Sequence, residues 1–290
     1  MLHPLITATA LHELLADPAL RLFDCRYALL DPGAGRLAYD KGHLPGARFI
    51  DMNRMLSTPP LAGKTGRHPL PARADWIRTV TGLGISPDSL VVLYDDGGGA
   101  SSSRMWWMLK WIGHDKVVVL DGGWQEWTAA GLPVTQALPP AAEPVADHYA
   151  VRTALVQLVQ AADVDGSSQL LLDARELPRF KGEVEPIDPV AGHIPGATCS
   201  PFSLNLQTDG RFHAPQVLRE KFAVAVGSKR PVVCYCGSGI TACHNILAMA
   251  VAGLPLPALY AGSWSEWITD TSRPVATGSL VRTPIIHDTE

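Results

Sequence analysis

Five short landmarks occur twice in this chain, in the same order and 140 to 150 residues apart. Thr9-Ala10-Leu11 is followed by Thr153-Ala154-Leu155, and Leu22-Phe23-Asp24-Cys25-Arg26 by Leu171-Leu172-Asp173-Ala174-Arg175. Gly42-His43-Leu44-Pro45-Gly46-Ala47 returns as Gly192-His193-Ile194-Pro195-Gly196-Ala197. Val91-Val92-Leu93-Tyr94-Asp95 returns as Val232-Val233-Cys234-Tyr235-Cys236, and Gly122-Gly123-Trp124-Gln125-Glu126-Trp127 as Gly262-Ser263-Trp264-Ser265-Glu266-Trp267. Chance does not keep such an order, so the chain is read as two copies of one domain. At 290 residues it has the length for two cores of ordinary size.

Each copy alternates short apolar strands with helical stretches, the pattern of a mostly parallel sheet covered by helices on both faces. Val91–Tyr94, Val117–Leu120 and Leu170–Asp173 are continuous apolar runs suited to central strands, and 231–235 is a further one. Helices are expected over Asp75–Gly82, Ser103–Ile112, Trp124–Ala130, Pro215–Val226 and Ala242–Val251, and opening at Thr9 and Thr153. The proline-rich, aperiodic stretch around Pro139-Pro140 reads as a linker. The expected division is 1–134, a linker at 135–150, a second domain at 151–278 and a polar tail at 279–290.

Composition narrows the function classes. A net charge of -4 offers no basic face for nucleic acid or anionic lipid. No apolar run is long enough to span a bilayer, and the start of the chain lacks the pattern of a signal peptide. Five cysteines, an odd number in a large chain, fit free thiols in a reducing compartment, so a cytoplasmic address is expected.

Chemistry concentrates at Cys236-Gly237-Ser238-Gly239-Ile240-Thr241, between the strand ending at Tyr235 and the helix beginning near Ala242. Two glycines free the backbone to curl there. A strand turning sharply into a helix aims successive N–H groups and the positive helix end into one small bowl, which holds an anion without a charged side chain. A thiolate is the reactive form of cysteine, so Cys236 reads as a nucleophile whose anionic sulfur the loop holds. Cysteine phosphatases use a similar bowl but need an arginine six residues past the nucleophile to grip phosphate. Ala242 stands at that position, and the phosphatase reading fails. Cys25, Cys199, Cys234 and Cys243 read as packing residues, with no metal-ligand spacing around them. His244 is expected at solvent or capping a loop; Trp106, Trp107, Trp124 and Trp127 read as packing.

With its paired Gly-His-x-Pro-Gly-Ala turns and the Gly262-Ser263-Trp264-Ser265-Glu266-Trp267 segment, nearly the whole chain resembles the two-domain rhodanese-like sulfurtransferases. The Cys236–Thr241 loop is similar to the Cys-Gly-Ser/Thr-Gly-Val-Thr loop of the 3-mercaptopyruvate sulfurtransferases; thiosulfate-preferring relatives place cations after the cysteine. The resemblance implies, in each half, a five-stranded parallel sheet with helices on both faces. It implies a catalytic second half and a silent first half, where Asp95 replaces the cysteine. The implied chemistry is double displacement: Cys236 takes sulfur from 3-mercaptopyruvate, or alternatively thiosulfate, as a persulfide and passes it to cyanide or a thiol. No metal or organic cofactor is implied, and a thioredoxin-like reductant is a conceivable partner of a monomeric chain. A rival reading is a sulfur-relay module loaded only by a protein partner.

The same resemblance assigns roles to other positions. Gly237, Ser238, Gly239, Ile240 and Thr241 form the persulfide loop, and Arg179 holds the donor's carboxylate, which a guanidinium fork fits. A second arginine expected in a Glu-Pro-Arg context is replaced in Glu185-Pro186-Ile187, leaving Lys181 and Arg175 as nearby cations. Ser263 and His68 are the candidates for moving protons. His43 and His193, present in both copies, read as structural turn residues.

Overall fold

The computed structural model describes residues 2–140, 149–150 and 152–278. Half of the expected linker (141–148), residue 151 and the whole 279–290 tail lie outside the described residues. Of the described residues, those up to Pro59, Leu70–Leu155 and Thr208–Phe212 form one compact unit. Pro60–Pro69, Val156–Gln207 and the residues from His213 onward form the other. Each half of the sequence therefore contributes one short segment to the unit built mainly from the other half.

The first unit holds strands β1 (Leu5–Ile6), β2 (Leu20–Asp24), β3 (Arg48–Phe49), β4 (Leu90–Tyr94) and β5 (Val117–Leu120). The second holds β6 (Leu158–Val159), β7 (Leu170–Asp173), β8 (Thr198–Cys199), β9 (Val232–Tyr235) and β10 (Ala258–Tyr260). Their orders, β1-β5-β4-β2-β3 and β6-β10-β9-β7-β8, are the same topology twice, with every pairing parallel. The central strands are continuous apolar runs because helices cover both faces and leave no solvent side to alternate toward. Val91 to Tyr94, Val117 to Leu120 and Leu170 to Asp173 are all buried.

The duplication reaches individual hydrogen bonds. Asp24 pairs in register with Tyr94, and Asp173 with Tyr235. The Tyr94 hydroxyl accepts the Leu44 N–H at 3.2 Å, as the Tyr235 hydroxyl accepts that of Ile194 at 3.2 Å. Arg26 forks onto Asp24 and donates to the Gly42 carbonyl, while Arg175 forks onto Asp173 and donates to the Gly192 carbonyl. Arg26 lies over the Trp124 ring and Arg175 over the Trp264 ring. His43 and His193 meet the carbonyls of Tyr39 and Phe180 through Nδ1, so both are turn-holding residues.

Two helix expectations are corrected. In the first half Thr7 caps the helix Ala8–Glu13 by accepting the Ala10 N–H at 3.2 Å. Thr153 opens no helix, because the Arg152 and Leu155 N–H groups donate to the Ile112 and Lys110 carbonyls, at the end of the Ser102–Trp111 helix. The turn after β6 is instead the short 3-10 helix Ala161–Asp163. The expected Pro215–Val226 helix is two pieces, Pro215–Lys221 and Ala223–Val226, which meet at Phe222 with ψ at 16°.

Candidate active site in the second unit

Strand β9 delivers Cys236, and the Thr241–Val251 helix leaves the loop on its other side. That helix is buried almost all round, with Ala242, Cys243, Ile246, Leu247 and Ala248 shut off from solvent, so the sequence reads as apolar without a polar stripe. Gly239 adopts φ of +80°, a conformation a side chain would strain. Its N–H turns back to donate to Cys236 Sγ at 3.1 Å. The Cys243 thiol donates to the Gly239 carbonyl at 3.3 Å, fastening the far side of the same residue to the helix. Cys236 itself is 2% exposed.

The start of the loop hangs on the Ser263–Trp267 helix. The Trp264 N–H donates to the Cys236 carbonyl at 3.0 Å and the Ser265 N–H to the Gly237 carbonyl at 2.9 Å. The Cys236 N–H donates to Ser263 Oγ at 3.0 Å, and that hydroxyl donates to the Tyr260 carbonyl at 2.9 Å. Ser263 has φ of +55°, alone among the described non-glycine residues in taking a positive value.

Charge gathers at Gly237. A Cβ built there would lie 2.8 Å from Arg67 Nη2 and 3.7 Å from both terminal nitrogens of Arg179, so two guanidinium groups stand over this stretch of the loop. Arg179 forks onto Glu185 at 3.2 and 2.7 Å and reaches Asp188 at 3.2 Å; Arg67 also pairs with Asp188. Burial works upward on the Glu185 carboxyl, but bonds from Arg179 and the N–H groups of Asp188 and Ile187 hold it below its usual range. Asp188 is pushed up, mainly by burial and in part by Glu185, against the pull of Arg67, Arg179 and Arg175. The side chains of Arg67 and Arg179, 26% and 18% exposed, connect the buried loop with solvent.

Arg179 thus stands at the loop, as Arg67 does. His68 is 5% exposed and its Nδ1 lies 2.8 Å from Ser238 Oγ, so the structure pairs it with the loop serine. Ser263, a candidate for moving protons, joins the Cys236 amide to a carbonyl through its hydroxyl. Its proton is committed to Tyr260, which makes it a backbone anchor. His244 is fully buried rather than at solvent, with Nδ1 2.9 Å from Asn205 Nδ2. Asn205 in turn meets Asn245 Oδ1 at 2.8 Å, which explains why a polar pair tolerates the interior.

Arg67 is the residue that sequence reasoning passed over. Its signal was present in Gly66-Arg67-His68, where the histidine drew notice, and in the missing cation at Ile187. The cation comes from the other half of the chain.

All five cysteines are free thiols. Burial pushes Cys199 up to about 12 and moves Cys25 and Cys234 upward as well, so these three stay protonated and inert. Among the described residues no cluster of three or more His, Cys, Asp or Glu could hold a metal ion, and no helix is long and apolar enough to cross a membrane.

The corresponding loop of the first unit is filled from within. Asp95, at the place of Cys236, takes N–H groups from Gly97 and Gly99 on Oδ1, both at 2.9 Å. Its Oδ2 takes the N–H groups of Ser101 and Ser102 at 2.9 and 2.7 Å and the Ser101 hydroxyl at 3.1 Å. Four N–H groups converge on one carboxylate, while the Ser101 hydroxyl beside them also reaches the Cys25 carbonyl at 2.7 Å, direct evidence that this turn is shaped to hold negative charge.

Known proteins match in the same terms. The rhodanese-like domain model matches residues 7–130 and again 153–270. A probable 3-mercaptopyruvate sulfurtransferase of Pseudomonas aeruginosa is 51% identical over 285 residues, covering 94% of this chain and 98% of that protein. A thiosulfate sulfurtransferase of Gallus gallus is 34% identical and covers 86% of each chain. The solved 3-mercaptopyruvate sulfurtransferase from Leishmania major superposes with a TM-score of 0.80 at 33% identity, over 91% of this chain and 73% of that one. Twin parallel sheets, a cysteine in an anion-shaped turn of one and a carboxylate in the same turn of the other thus converge with these matches: the chain belongs to the rhodanese-like family and is a sulfurtransferase with the domain in tandem.

Proposed function

We propose that this chain moves the sulfur of 3-mercaptopyruvate to cyanide or a thiol through a persulfide on Cys236, with residues 151–278 catalytic and 1–134 silent. The observation that carries the reading is the Gly239 N–H resting on Cys236 Sγ, with the guanidinium groups of Arg67 and Arg179 over the adjoining Gly237. In the first step the Cys236 thiolate attacks the donor's sulfur. A sulfur–sulfur bond forms, the carbon–sulfur bond breaks, and its electron pair leaves on carbon as the enolate of pyruvate, which then takes a proton. In the second step the acceptor attacks the outer sulfur and the Cys236 thiolate is restored. With a thioredoxin-like dithiol, the second thiol of the acceptor releases hydrosulfide and leaves a disulfide on that partner.

Preorganised N–H groups suit both anionic states, since they need no rearrangement between them. In the loop of Gly237, Ser238, Gly239, Ile240 and Thr241, the outer sulfur takes the place filled by the Asp95 carboxylate in the silent copy. Arg179 and Arg67 grip the donor's carboxylate. Glu185 and Asp188 already balance these two cations, which favours a monocarboxylate over the dianionic thiosulfate. Thiosulfate remains the second reading, supported by the names of relatives and by Ile187. Five free thiols fit a reducing, cytoplasmic setting.

Cys236→Ser, assayed with both donors, tests the reading. Turnover is expected to vanish with each, and brief exposure of the wild-type chain to 3-mercaptopyruvate should add one sulfur atom at Cys236 by mass spectrometry. Turnover that survives the substitution overturns the assignment, and sulfur loading only from a protein donor makes the chain a relay. A higher kcat/KM with thiosulfate reverses the choice of donor.

A further inference from the structure

We propose that Ser265 is a positioning residue that docks the Gly66-Arg67-His68 segment onto the Cys236 loop and so completes the donor site; this rests on Cys236 being the nucleophile. Residues 60–69 have no helix or strand of their own, yet two consecutive side chains of this segment reach the loop. Arg67 stands over Gly237, and His68 meets Ser238. An irregular segment needs a fixed point to aim two side chains at once.

Ser265 supplies that point from both of its polar groups. Its N–H donates to the Gly237 carbonyl at 2.9 Å, while its Oγ accepts the Arg67 N–H at 3.1 Å. The hydroxyl proton is directed to the Gly262 carbonyl at 3.4 Å, and the residue is buried. One serine therefore joins the loop's second peptide to the segment's arginine. The neighbouring residue shows how close the approach is. A Cβ on Gly66 would lie 2.5 Å from the Gly262 carbonyl oxygen and 2.7 Å from Ser265 Oγ, so only glycine lets the segment down to this depth.

The silent copy lacks the arrangement. At the place of Ser265 it carries Gln125, whose side-chain amide donates to the Asp96 carbonyl at 2.7 Å. The copy whose turn is filled by Asp95 has no donor to receive, and its helix holds its own loop instead. Ser265 thus acts through Arg67 and His68, on the binding of an anionic donor more than on the reactivity of the sulfur.

Ser265→Ala removes the acceptor, and Gly66→Ala wedges the same contact without changing its chemistry. Two measurements separate positioning from general support: steady-state kinetics with 3-mercaptopyruvate and cyanide, and the rate of Cys236 alkylation by uncharged iodoacetamide. Both variants are expected to lose about tenfold in kcat/KM, mostly through KM, the size of one well-placed hydrogen bond. Alkylation should stay within about twofold of wild type, because the Gly239 N–H still meets the sulfur. Unchanged kcat/KM in both variants overturns the proposal, as does a parallel fall in alkylation, which would mean that the loop itself had collapsed. Failure of iodoacetamide to label Cys236 in the wild-type chain strikes instead at the nucleophile beneath it.

Discussion

Ser263 keeps a left-handed backbone that its counterpart Gly123, also at φ +55°, adopts without strain. For a residue with a Cβ this conformation costs roughly 1–2 kcal/mol. The serine repays it by joining the Cys236 N–H to the Tyr260 carbonyl. The two effects can be pulled apart. Ser263→Gly removes the hydroxyl and relieves the strain, so thermal stability should hold or rise while sulfur transfer falls about tenfold, the size of one well-placed hydrogen bond. Ser263→Ala removes the hydroxyl and keeps the strain, so stability and turnover should fall together, the former by about 1–3 kcal/mol. Melting temperatures and kcat/KM on the pair check this, and a fully active glycine variant would show the anchor to be idle. The strand-to-helix turn that carries Cys236 was legible in the sequence because its glycine punctuation is a local pattern. The work of Ser263 was not, since it depends on where one hydroxyl proton points. Arg67 was not either, since its contact joins residues far apart in the chain.

The Thr241–Val251 helix fixes one end of the bowl, and its hold on the unit runs through buried polar groups. Lys221 donates to the Pro201 carbonyl at 2.7 Å and to the Asn205 side chain, which also meets His244 and Asn245 on this helix. Burial, only partly offset by Cys234, Glu176 and Cys199, pulls the Lys221 amine down to about 7. Unfolded, the amine returns toward 10.5, so between these values the unfolded chain binds the extra proton. Stability should therefore rise with pH across that window, by up to about 1.4 kcal/mol per unit from this group. Urea melts from about pH 7 to about pH 9, compared with Lys221→Met, check the sign: the wild type should gain on the variant as pH rises. The central strands and most helices were readable from apolar runs and glycine punctuation. The break at Phe222 and the Thr153 error were not, because the latter turned on two N–H groups being claimed by carbonyls of a distant helix.

For the molecule as a whole, duplication leaves one turn with a cysteine at its base and one filled by its own carboxylate. Asp95→Ala should strip four N–H donors of their acceptor, the Ser101 hydroxyl keeping the Cys25 carbonyl, and cost about 3 kcal/mol or more. Added sulfate should restore part of that loss in a thermal melt and do little for the wild type, because a vacated anion seat accepts a foreign anion. Absence of any such recovery would mean that the donors turn away once the carboxylate is gone. The repeat and the turn that carries Cys236 were visible in the sequence, and the five-stranded sheets followed from the family resemblance. The crossing of short segments between units was not, since residues 60–69 carry no periodicity. That crossing has a consequence for the history of such a chain. A gene cut at the proline-rich join would make a half-protein with Cys236 but without Arg67 and His68. Those ten residues belong to the same compact unit as Cys236, so the two halves of the sequence are not the two structural units.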